Sequence, residues 1–310
     1  MARPILIAKA LDVVLAATRM IPPGFAFWAG GVLGWWFGHL PMRDQRRARA
    51  NLRRAFPERD EAWIERTTRH CFRHFGRMAL WSMATVTLPP RRLLRTMVIE
   101  GREHFMDLMR ASHRGQGTVL FTGHYGNWEL MARAGAQYLP LSVIGKRLRN
   151  AQLDALVVRI RASGGARVLY QDEDVRTLVR ELRRGRVLCT LADQDIPRMT
   201  GIHVPWFGVP AHTPVAPAAL VMLGSGQVQA AFCFAYGGRW VMHLSPRRHI
   251  PRGSDRQASI RAITTWITAY EEALVRRHPE QWVWWHMRWR TQPPAAAPLP
   301  AVAPDGAAAR

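Results

Sequence analysis

A strand, a glycine-framed turn and a helix follow one another in residues 117–131, and no other stretch constrains the fold as strongly. Thr118–Thr122 has the length and apolar character of a buried strand. Gly123 and Gly126 allow a tight turn after it, and Asn127 is a residue type that caps helices. A buried strand that leads through a turn into a helix is typical of an α/β sheet.

His124 lies in this turn and Glu129 lies in the first turn of the expected helix. On an ideal helix the two would be about 500° apart, so they can meet only if His124 precedes the helix. A carboxylate on one ring nitrogen would fix the tautomer and leave the other nitrogen as a general base. The alternative is that His124 only satisfies the loop and that Glu129 only complements the helix dipole.

The rest of the chain repeats the alternation of apolar strands and amphipathic helices, which predicts an α/β fold with a mixed central sheet flanked by helices. A hairpin is expected across Gly237 and Gly238, and Asp172 is expected to cap a helix. The expected strands are Met97–Glu100, Thr118–Thr122, Leu141–Gly145, 166–169, 186–191, 228–236 and 240–244, and the expected helices are 43–56, 61–83, 103–110, 150–162, 172–184, 214–223 and 257–277.

The chain has 310 residues and a formal net charge of +22, which comes almost wholly from arginine because the only lysines are Lys9 and Lys146. Such a charge suits nucleic acid, an anionic membrane surface or a phosphorylated substrate. Neither zinc-finger spacing nor an RNA-binding aromatic motif is present, and the abundant tryptophans favour a membrane interface over nucleic acid. Cys71, Cys189 and Cys233 are too few and too widely spaced for a disulfide framework, which favours a reducing compartment.

Residues 1–42 are predicted to be a hydrophobic membrane-anchoring segment. Residues 4–20 suit an interfacial helix, and the Trp-rich run 24–40 is somewhat short of the usual span of about 20 residues. The arginines that follow place the downstream domain, residues 43–291, on the cytoplasmic side. A buried hydrophobic hairpin is the alternative for the anchor. Residues 292–310 are rich in Ala and Pro and are predicted to be a disordered tail.

The sequence Asp193-Gln194-Asp195 follows a strongly apolar strand. Open α/β sheets bind ligands at the carboxyl ends of their strands, so these side chains are candidates for the same site as His124. The alternative is a polar turn that simply leaves the strand.

Residues 123–129, Gly-His-Tyr-Gly-Asn-Trp-Glu, resemble the signature of the lipid A late acyltransferases, the lauroyl and myristoyl acyltransferases, which are distant relatives of the glycerolipid acyltransferases. Other segments resemble the same family in the same order. They are Asn-Leu-Arg-Arg-Ala-Phe-Pro at 51–57, Asp-Gln-Asp at 193–195, Val-Pro-Trp-Phe-Gly at 204–208 and Pro-Glu-Gln-Trp at 279–282. Trp206 departs from the Phe of the family pattern. The resemblance covers roughly residues 50 to 290.

The resemblance implies a glycerolipid-acyltransferase-like fold and transfer of a fatty acyl group from acyl carrier protein, or another acyl thioester such as acyl-CoA, to a hydroxyl of a phosphorylated lipid A precursor. This would occur at the cytoplasmic face of the bacterial inner membrane, without metal or organic cofactor. His124 would be the base and Glu129 its orienter, with backbone N–H groups of the turn as candidate oxyanion donors. The transfer would be direct, because no Ser or Cys nucleophile is needed.

Further residues are expected to bind substrate under this resemblance. Arg161 matches a basic position of the family, whereas Lys146 stands where the family has an arginine and lacks its planar fork. The apolar segment around Pro205 and Phe207 suits a wall for an acyl chain. The full set of expected substrate-binding residues is Asn127, Lys146, Arg161, Asp193, Asp195, Pro205 and Phe207.

Three alternatives stay open at this point. The acceptor could be another polar lipid, such as a phosphatidylinositol mannoside. A basic membrane-binding protein without catalysis would explain the charge and the apolar segment but would leave the turn at His124 unused. A hydrolase could hold a metal between His124, Glu129 and Asp193, although this ligand spacing is unconvincing.

Overall fold

The structure, a computed structural model, describes residues 20–86, 88–224, 226–251 and 255–293. The predictions for residues 4–19 and for the end of the tail lie outside these ranges. The helices are α1 (Pro23–His39), α2 (Arg43–Ala55), α3 (Glu61–Ala84), α4 (Pro90–Leu94), α5 (Arg102–His113), α6 (Trp128–Gly135), α7 (Ala151–Ser163), α8 (Val175–Arg183), α9 (Ala216–Leu223), α10 (Arg256–Arg277) and a 3-10 turn (Pro279–Gln281). The strands are β1 (Met97–Glu100), β2 (Thr118–Thr122), β3 (Leu141–Gly145), β4 (Arg167–Tyr170), β5 (Val187–Leu191), β6 (Gly201–Trp206), β7 (Val209–Pro214), β8 (Gln227–Tyr236), β9 (Arg239–Leu244) and β10 (Arg248–His249).

The main sheet has the strand order β1-β9-β8-β2-β5-β3-β4, with β10 paired to β8. Strand β2 is central and runs parallel to both of its neighbours, β5 and β8. The β8–β9 hairpin is antiparallel, so the sheet is mixed. The predicted fold class, an α/β fold with a mixed central sheet flanked by helices, is confirmed.

All five residues of β2 are buried, because helices cover both faces of the sheet. Alternate side chains of a strand point to opposite faces. Val119 and Phe121 accordingly join one hydrophobic core, and Phe121 packs edge-on against Trp266 of α10. Leu120 joins the other core, which includes Leu130 of α6. The strand that leads to His124 is therefore fixed from both sides.

Two local predictions differ from the structure. The cap of α8 is Asp174, whose Oδ1 accepts from the Arg176 N–H at 3.0 Å, and not Asp172. Residues 204–208, where no strand was predicted, form part of the β6–β7 hairpin, a separate two-stranded sheet. The turn of this hairpin is Phe207-Gly208, both with positive φ (52° and 74°), which suits the twist of a two-residue hairpin.

Helix α1 packs closely on α3 through glycines. A Cβ on Gly34 would overlap the carbonyl of Phe72, and Gly30 and Gly76 meet backbone to backbone in the same way. Large apolar side chains are exposed along α1 and directly after it. They are Phe25, Trp28, Val32, Leu33, Trp35, Trp36 and Phe37 in the helix and Leu40 and Met42 after it. Within the described residues, no helix has the length and apolar character needed to cross a membrane.

Candidate active site

His124 lies where predicted, in the turn between β2 and α6 at the carboxyl edge of the parallel strands. Asn127 caps α6, since its Oδ1 accepts from the Leu130 N–H at 3.0 Å. Gly126 has φ +60°, and a Cβ there would overlap the Cys233 carbonyl. The turn is also bonded to the 3-10 region: the Gly126 N–H donates to the Gln281 carbonyl at 2.8 Å. Neighbouring backbone therefore holds the turn in place.

The carboxylate that orients His124 is Asp193. The His124 Nδ1 lies 2.8 Å from Asp193 Oδ1, and the His124 backbone N–H donates to Oδ2 at 2.8 Å. Trp282 donates its indole N–H to the same Oδ2 at 3.0 Å. The Asp193 side chain is fully buried. A carboxylate on Nδ1 fixes the proton there, so Nε2 is the nitrogen that can accept a proton.

The prediction that Glu129 orients His124 is wrong. Glu129 instead forms a two-pronged ion pair with Arg161 of α7, through Arg161 Nε to Oε2 at 3.1 Å and through Nη2 to Oε1. Because β5 lies next to β2, the first residues after β5 reach His124, whereas the first turn of α6 directs Glu129 towards α7. Arg161, which was expected to bind substrate, thus already has a carboxylate partner.

The electrostatics of Asp193 favour its ionised form. Burial alone would raise its pKa, but the charge of a protonated His124 and the hydrogen bonds from His124 outweigh burial, and the pKa of Asp193 lies well below its usual range. A carboxylate that stays ionised can stabilise an imidazolium formed on His124.

Three side chains surround the outer part of the His124 ring. The Gln194 amide nitrogen lies 3.4 Å from His124 Nε2, and the rings of His286 and Trp128 pack edge-on at centroid distances of 4.6 Å and 5.0 Å. Burial, followed by the charge of His124, lowers the pKa of His286 to about 4, so His286 is neutral near pH 7. Sequence reasoning missed His286, and the only available signal was its place after a long aromatic run.

The segment that resembles the family at 51–57 now has a structural role. Asn51 of α2 donates its side-chain N–H groups to the carbonyls of Trp284 and His286, at 2.7 Å and 2.8 Å. Asn51 thereby fixes the strip that brings His286 to His124.

A buried carboxyl group lies directly behind the turn. A Cβ on Gly123 would overlap the carboxyl of Glu271, which explains why the position requires glycine. The residue is 1% exposed, and Oε1 has no hydrogen-bond partner among the described residues. Burial, reinforced by the charge of Asp193, raises the pKa of Glu271 well above its usual value, although the buried Arg288 opposes this. The buried environment of Glu271 therefore favours the protonated form of its carboxyl group.

The contacts of the other expected substrate-binding residues are with residues other than His124. The buried side chain of Asp195 lies 3.1 Å from His212 Nδ1 and accepts from the Thr291 N–H at 2.6 Å, so it joins the β6–β7 hairpin to the end of the described chain. Phe207 lies in the core, and its N–H donates to Glu272. Pro205 pairs with Pro210 in the β6–β7 hairpin, and Lys146 is exposed beyond the end of β3.

The site also contains a set of potential metal ligands. Three residues, His124, Asp193 and His286, each have a potential ligand atom within 4.8 Å of those of the other two, which is close enough to hold a metal ion. Two imidazoles and a carboxylate suit zinc. The set differs from the one considered from the sequence, because Glu129 does not belong to it and His286 does.

A histidine held by a buried carboxylate at the carboxyl edge of an α/β sheet is the arrangement of an α/β enzyme that uses a histidine as general base. Comparison with known sequences identifies the family. Residues 6–291 match the sequence model of the family described as bacterial lipid A biosynthesis acyltransferase, and the chain belongs to that family.

Curated relatives fall into two groups by name. The lipid A biosynthesis lauroyltransferase of Escherichia coli K12 is 24% identical over 271 residues, which is 84% of this chain and 85% of the relative. The phosphatidylinositol mannoside acyltransferase of Mycobacterium tuberculosis H37Rv is 28% identical over 210 residues, 66% of this chain. The match spans less than two thirds of the mycobacterial relatives, 64% in M. tuberculosis and 60% in Mycolicibacterium smegmatis.

Proposed function

We propose that this protein transfers a fatty acyl group from an acyl thioester to a hydroxyl of a lipid A precursor. The observation that carries the proposal is the 2.8 Å contact between His124 Nδ1 and the buried Asp193, which leaves Nε2 as the base. Family membership supports the reaction class.

The reaction follows from this geometry. His124 Nε2 takes the proton of the acceptor hydroxyl as its oxygen bonds to the thioester carbonyl carbon. Asp193 stabilises the resulting imidazolium. When the tetrahedral intermediate collapses, the C–S bond breaks and the imidazolium returns its proton to the departing thiolate. The acyl group passes directly to the acceptor, without an acyl-enzyme.

The oxyanion of the intermediate needs hydrogen-bond donors. The N–H groups of His124, Gly126 and Asn127 already donate to Asp193, Gln281 and Cys233. Those of Trp128 and Glu129, in the first turn of α6, donate to no acceptor within the described part of the chain. A helix N-terminus favours negative charge, so these two groups are the better oxyanion donors.

The donor is acyl carrier protein or acyl-CoA, and both carry anionic phosphate that suits a chain with a net charge of +22. For the acceptor phosphate, the exposed Lys146 and Arg149 after β3 are better placed than Arg161, which is paired with Glu129. Lys146 acts as a point charge and not as a planar fork.

A second acceptor class has specific support. The matched relatives include phosphatidylinositol mannoside acyltransferases from two mycobacteria, so a phosphorylated polar lipid other than a lipid A precursor would use the same base.

The same proposal places the protein at the cytoplasmic face of the inner membrane, and the surfaces of α1 and α2 support this location. The exposed apolar side chains of α1 suit insertion into the inner membrane. The arginines of α2, among them Arg46 and Arg53, suit its anionic cytoplasmic surface.

The test is an acyl-transfer assay with the full-length protein in mixed micelles. The protein is incubated with the lauroyl thioester of acyl carrier protein or of CoA and with either a lipid A precursor or a phosphatidylinositol mannoside. Products are identified by mass spectrometry. We expect a new ester with at least one acceptor and none with His124→Ala. Product formation by His124→Ala at the parental rate, or an acyl group covalently bound to the protein, would contradict the mechanism.

A chelator separates direct base catalysis from a metal-dependent reaction at His124, Asp193 and His286. Dialysis against EDTA should leave kcat unchanged, since His124 acts as a base and not as a ligand. Loss of activity that added zinc restores would favour the metal-dependent alternative.

A further inference from the structure

A cavity of about 440 Å³ opens between helices α1 and α3 and the turn of the β8–β9 hairpin. Its volume is within the range of ligand pockets, roughly 300–1,000 Å³. The lining is strongly basic, with Arg73 and Arg77 from α3 and Arg239 from β9. None of the side chains that contact His124 belongs to this lining.

The cations of this cavity lack a carboxylate partner within the described chain, although the Arg77 guanidinium lies over the Phe27 ring at 4.9 Å. Arg73 and Arg239 form no ion pair there, and the buried Nε of Arg77 has no hydrogen-bond acceptor. Burial and the neighbouring Arg73 both lower the pKa of Arg77. The one acid in the lining is Glu280, which lies 4.0 Å from His278. Unpaired, partly desolvated guanidinium groups are costly unless an anion joins them.

The floor of the cavity adds a polar group of another kind. His74 is 8% exposed, and its Nε2 has no hydrogen-bond partner among the residues that the structure describes. Burial lowers the pKa of His74 to about 4, so the ring is neutral and its polar edge suits a hydroxyl or a protonated oxygen.

An apolar groove of about 360 Å³ continues from the same arginines along α1. It shares Arg73 and Arg77 with the basic cavity and is otherwise lined by Trp28, Val32 and the neighbouring tryptophans. Trp28 is 61% exposed and Trp36 is 62% exposed. The guanidinium groups therefore lie at the boundary between an exposed apolar surface and a polar cavity.

We propose that the basic cavity binds the phosphate of an anionic membrane phospholipid, whose acyl chains lie along the apolar groove of α1. Arginine forks match phosphate oxygens, and the order of polar cavity, arginine and apolar groove matches the order of headgroup, phosphate and chain. This is a binding site separate from His124, and it does not depend on the acyl-transfer reaction.

The experiment measures binding of the full-length protein to vesicles of phosphatidylcholine with and without phosphatidylglycerol, at one ionic strength. We expect the double variant Arg73→Gln/Arg239→Gln to lose about tenfold in affinity for the phosphatidylglycerol vesicles, as for the loss of hydrogen bonds to a charged group. Affinity for pure phosphatidylcholine should hardly change.

The matched control is Arg110→Gln/Arg183→Gln, which removes the same charge from exposed positions of α5 and α8 that do not line the cavity. This variant should keep the parental preference, and an equal loss would show that only the overall charge matters. Arg77→Lys keeps the charge but loses the fork, so an intermediate affinity is expected. Parental affinity in both cavity variants would overturn the site.

Two arms identify the source of the phosphate. Soluble glycerol phosphate should not displace the protein from vesicles, and displacement at low concentration would assign the cavity to a soluble phosphate ester. In micelles without anionic phospholipid, Arg73→Gln/Arg239→Gln should keep the parental KM for the lipid acceptor. A raised KM would assign the cavity to the acceptor instead.

Discussion

At the scale of single residues, the centre of the site is the pair formed by His124 and Asp193. Asp193→Asn should lower kcat by a factor on the order of 10²–10⁴, because an amide can present its N–H to Nδ1 and hold the wrong tautomer. Adding His124→Ala should cost little more, since the two residues act as a unit. Steady-state kinetics of the two single variants and the double variant measure this, and additive losses would contradict it.

Asp195→Asn is the matched control, because it makes the same chemical change two residues away. Asp195 bonds His212 and Thr291 and does not touch His124. We expect a loss of about 1–3 kcal/mol in the free energy of unfolding, as for a buried group that loses a partner, with kcat retained. If both variants lost kcat equally, the special role of Asp193 would be refuted.

Glu271 gives a prediction about pH. Its pKa is raised in the folded protein, whereas the unfolded chain ionises near pH 4.3. The contribution of Glu271 to stability is thus complete below about pH 4.3 and is lost as pH rises towards the folded pKa. Glu271→Gln removes this loss, so its melting temperature should exceed that of the parent at about pH 8 and not at about pH 4. An equal difference at both pH values would mean that Glu271 is ionised in the fold.

At the scale of elements, β2, its turn and α6 were predicted from local signals. Thr118–Thr122 is apolar, Gly126 occupies positive φ, and Asn127 caps the helix as expected. The partner of His124 was not predictable in this way. Asp193 is 69 residues further along the chain, and it reaches His124 only because β5 pairs with β2. Strand order depends on long-range packing that local periodicity does not encode.

The contact between α1 and α3 supplies a prediction at the same scale. Gly34→Ala would press a methyl group against the Phe72 carbonyl, and we expect a loss of about 1–3 kcal/mol in the free energy of unfolding, as for an overpacked contact. Gly24→Ala is the control, because no atom lies within 4 Å of its Cβ position. It should be neutral or slightly stabilising. Denaturant unfolding and limited proteolysis near residues 40–42 measure both, and equal stability of the two variants would refute the tight contact.

At the scale of the whole molecule, the exposed apolar side of α1 governs the proposed membrane binding. Leu33→Ser should weaken binding to phosphatidylcholine vesicles by about 1–2 kcal/mol, the contribution of part of one apolar side chain. Leu153→Ser, on a 40% exposed leucine of α7, is the matched control and should bind as the parent does. Vesicle flotation at two salt concentrations separates the apolar contribution to binding from the electrostatic one. Equal vesicle binding by the two variants would contradict a role for α1.

The sequence pattern predicted the fold class better than the individual side-chain contacts. The alternation of strands and helices yielded the mixed α/β sheet, and the three cysteines are indeed free and buried. The ion pair between Glu129 and Arg161 was missed, because a motif shows which residues matter and not which way a helix turns them. The core position of Phe207 was missed for a similar reason: an apolar residue suits a ligand wall and a protein core equally well.

The glycine contact of α1 with α3 has a geometric consequence. Two helices that touch backbone to backbone, at Gly30 and Gly76, cannot slide or tilt as a tethered anchor could. If α1 rests in the bilayer, the catalytic turn must then stand at one fixed height above the lipid surface. The enzyme would then accept only lipids whose hydroxyl lies at that height above the membrane. The length of the acceptor headgroup would limit substrate choice in addition to the chemical groups that it carries.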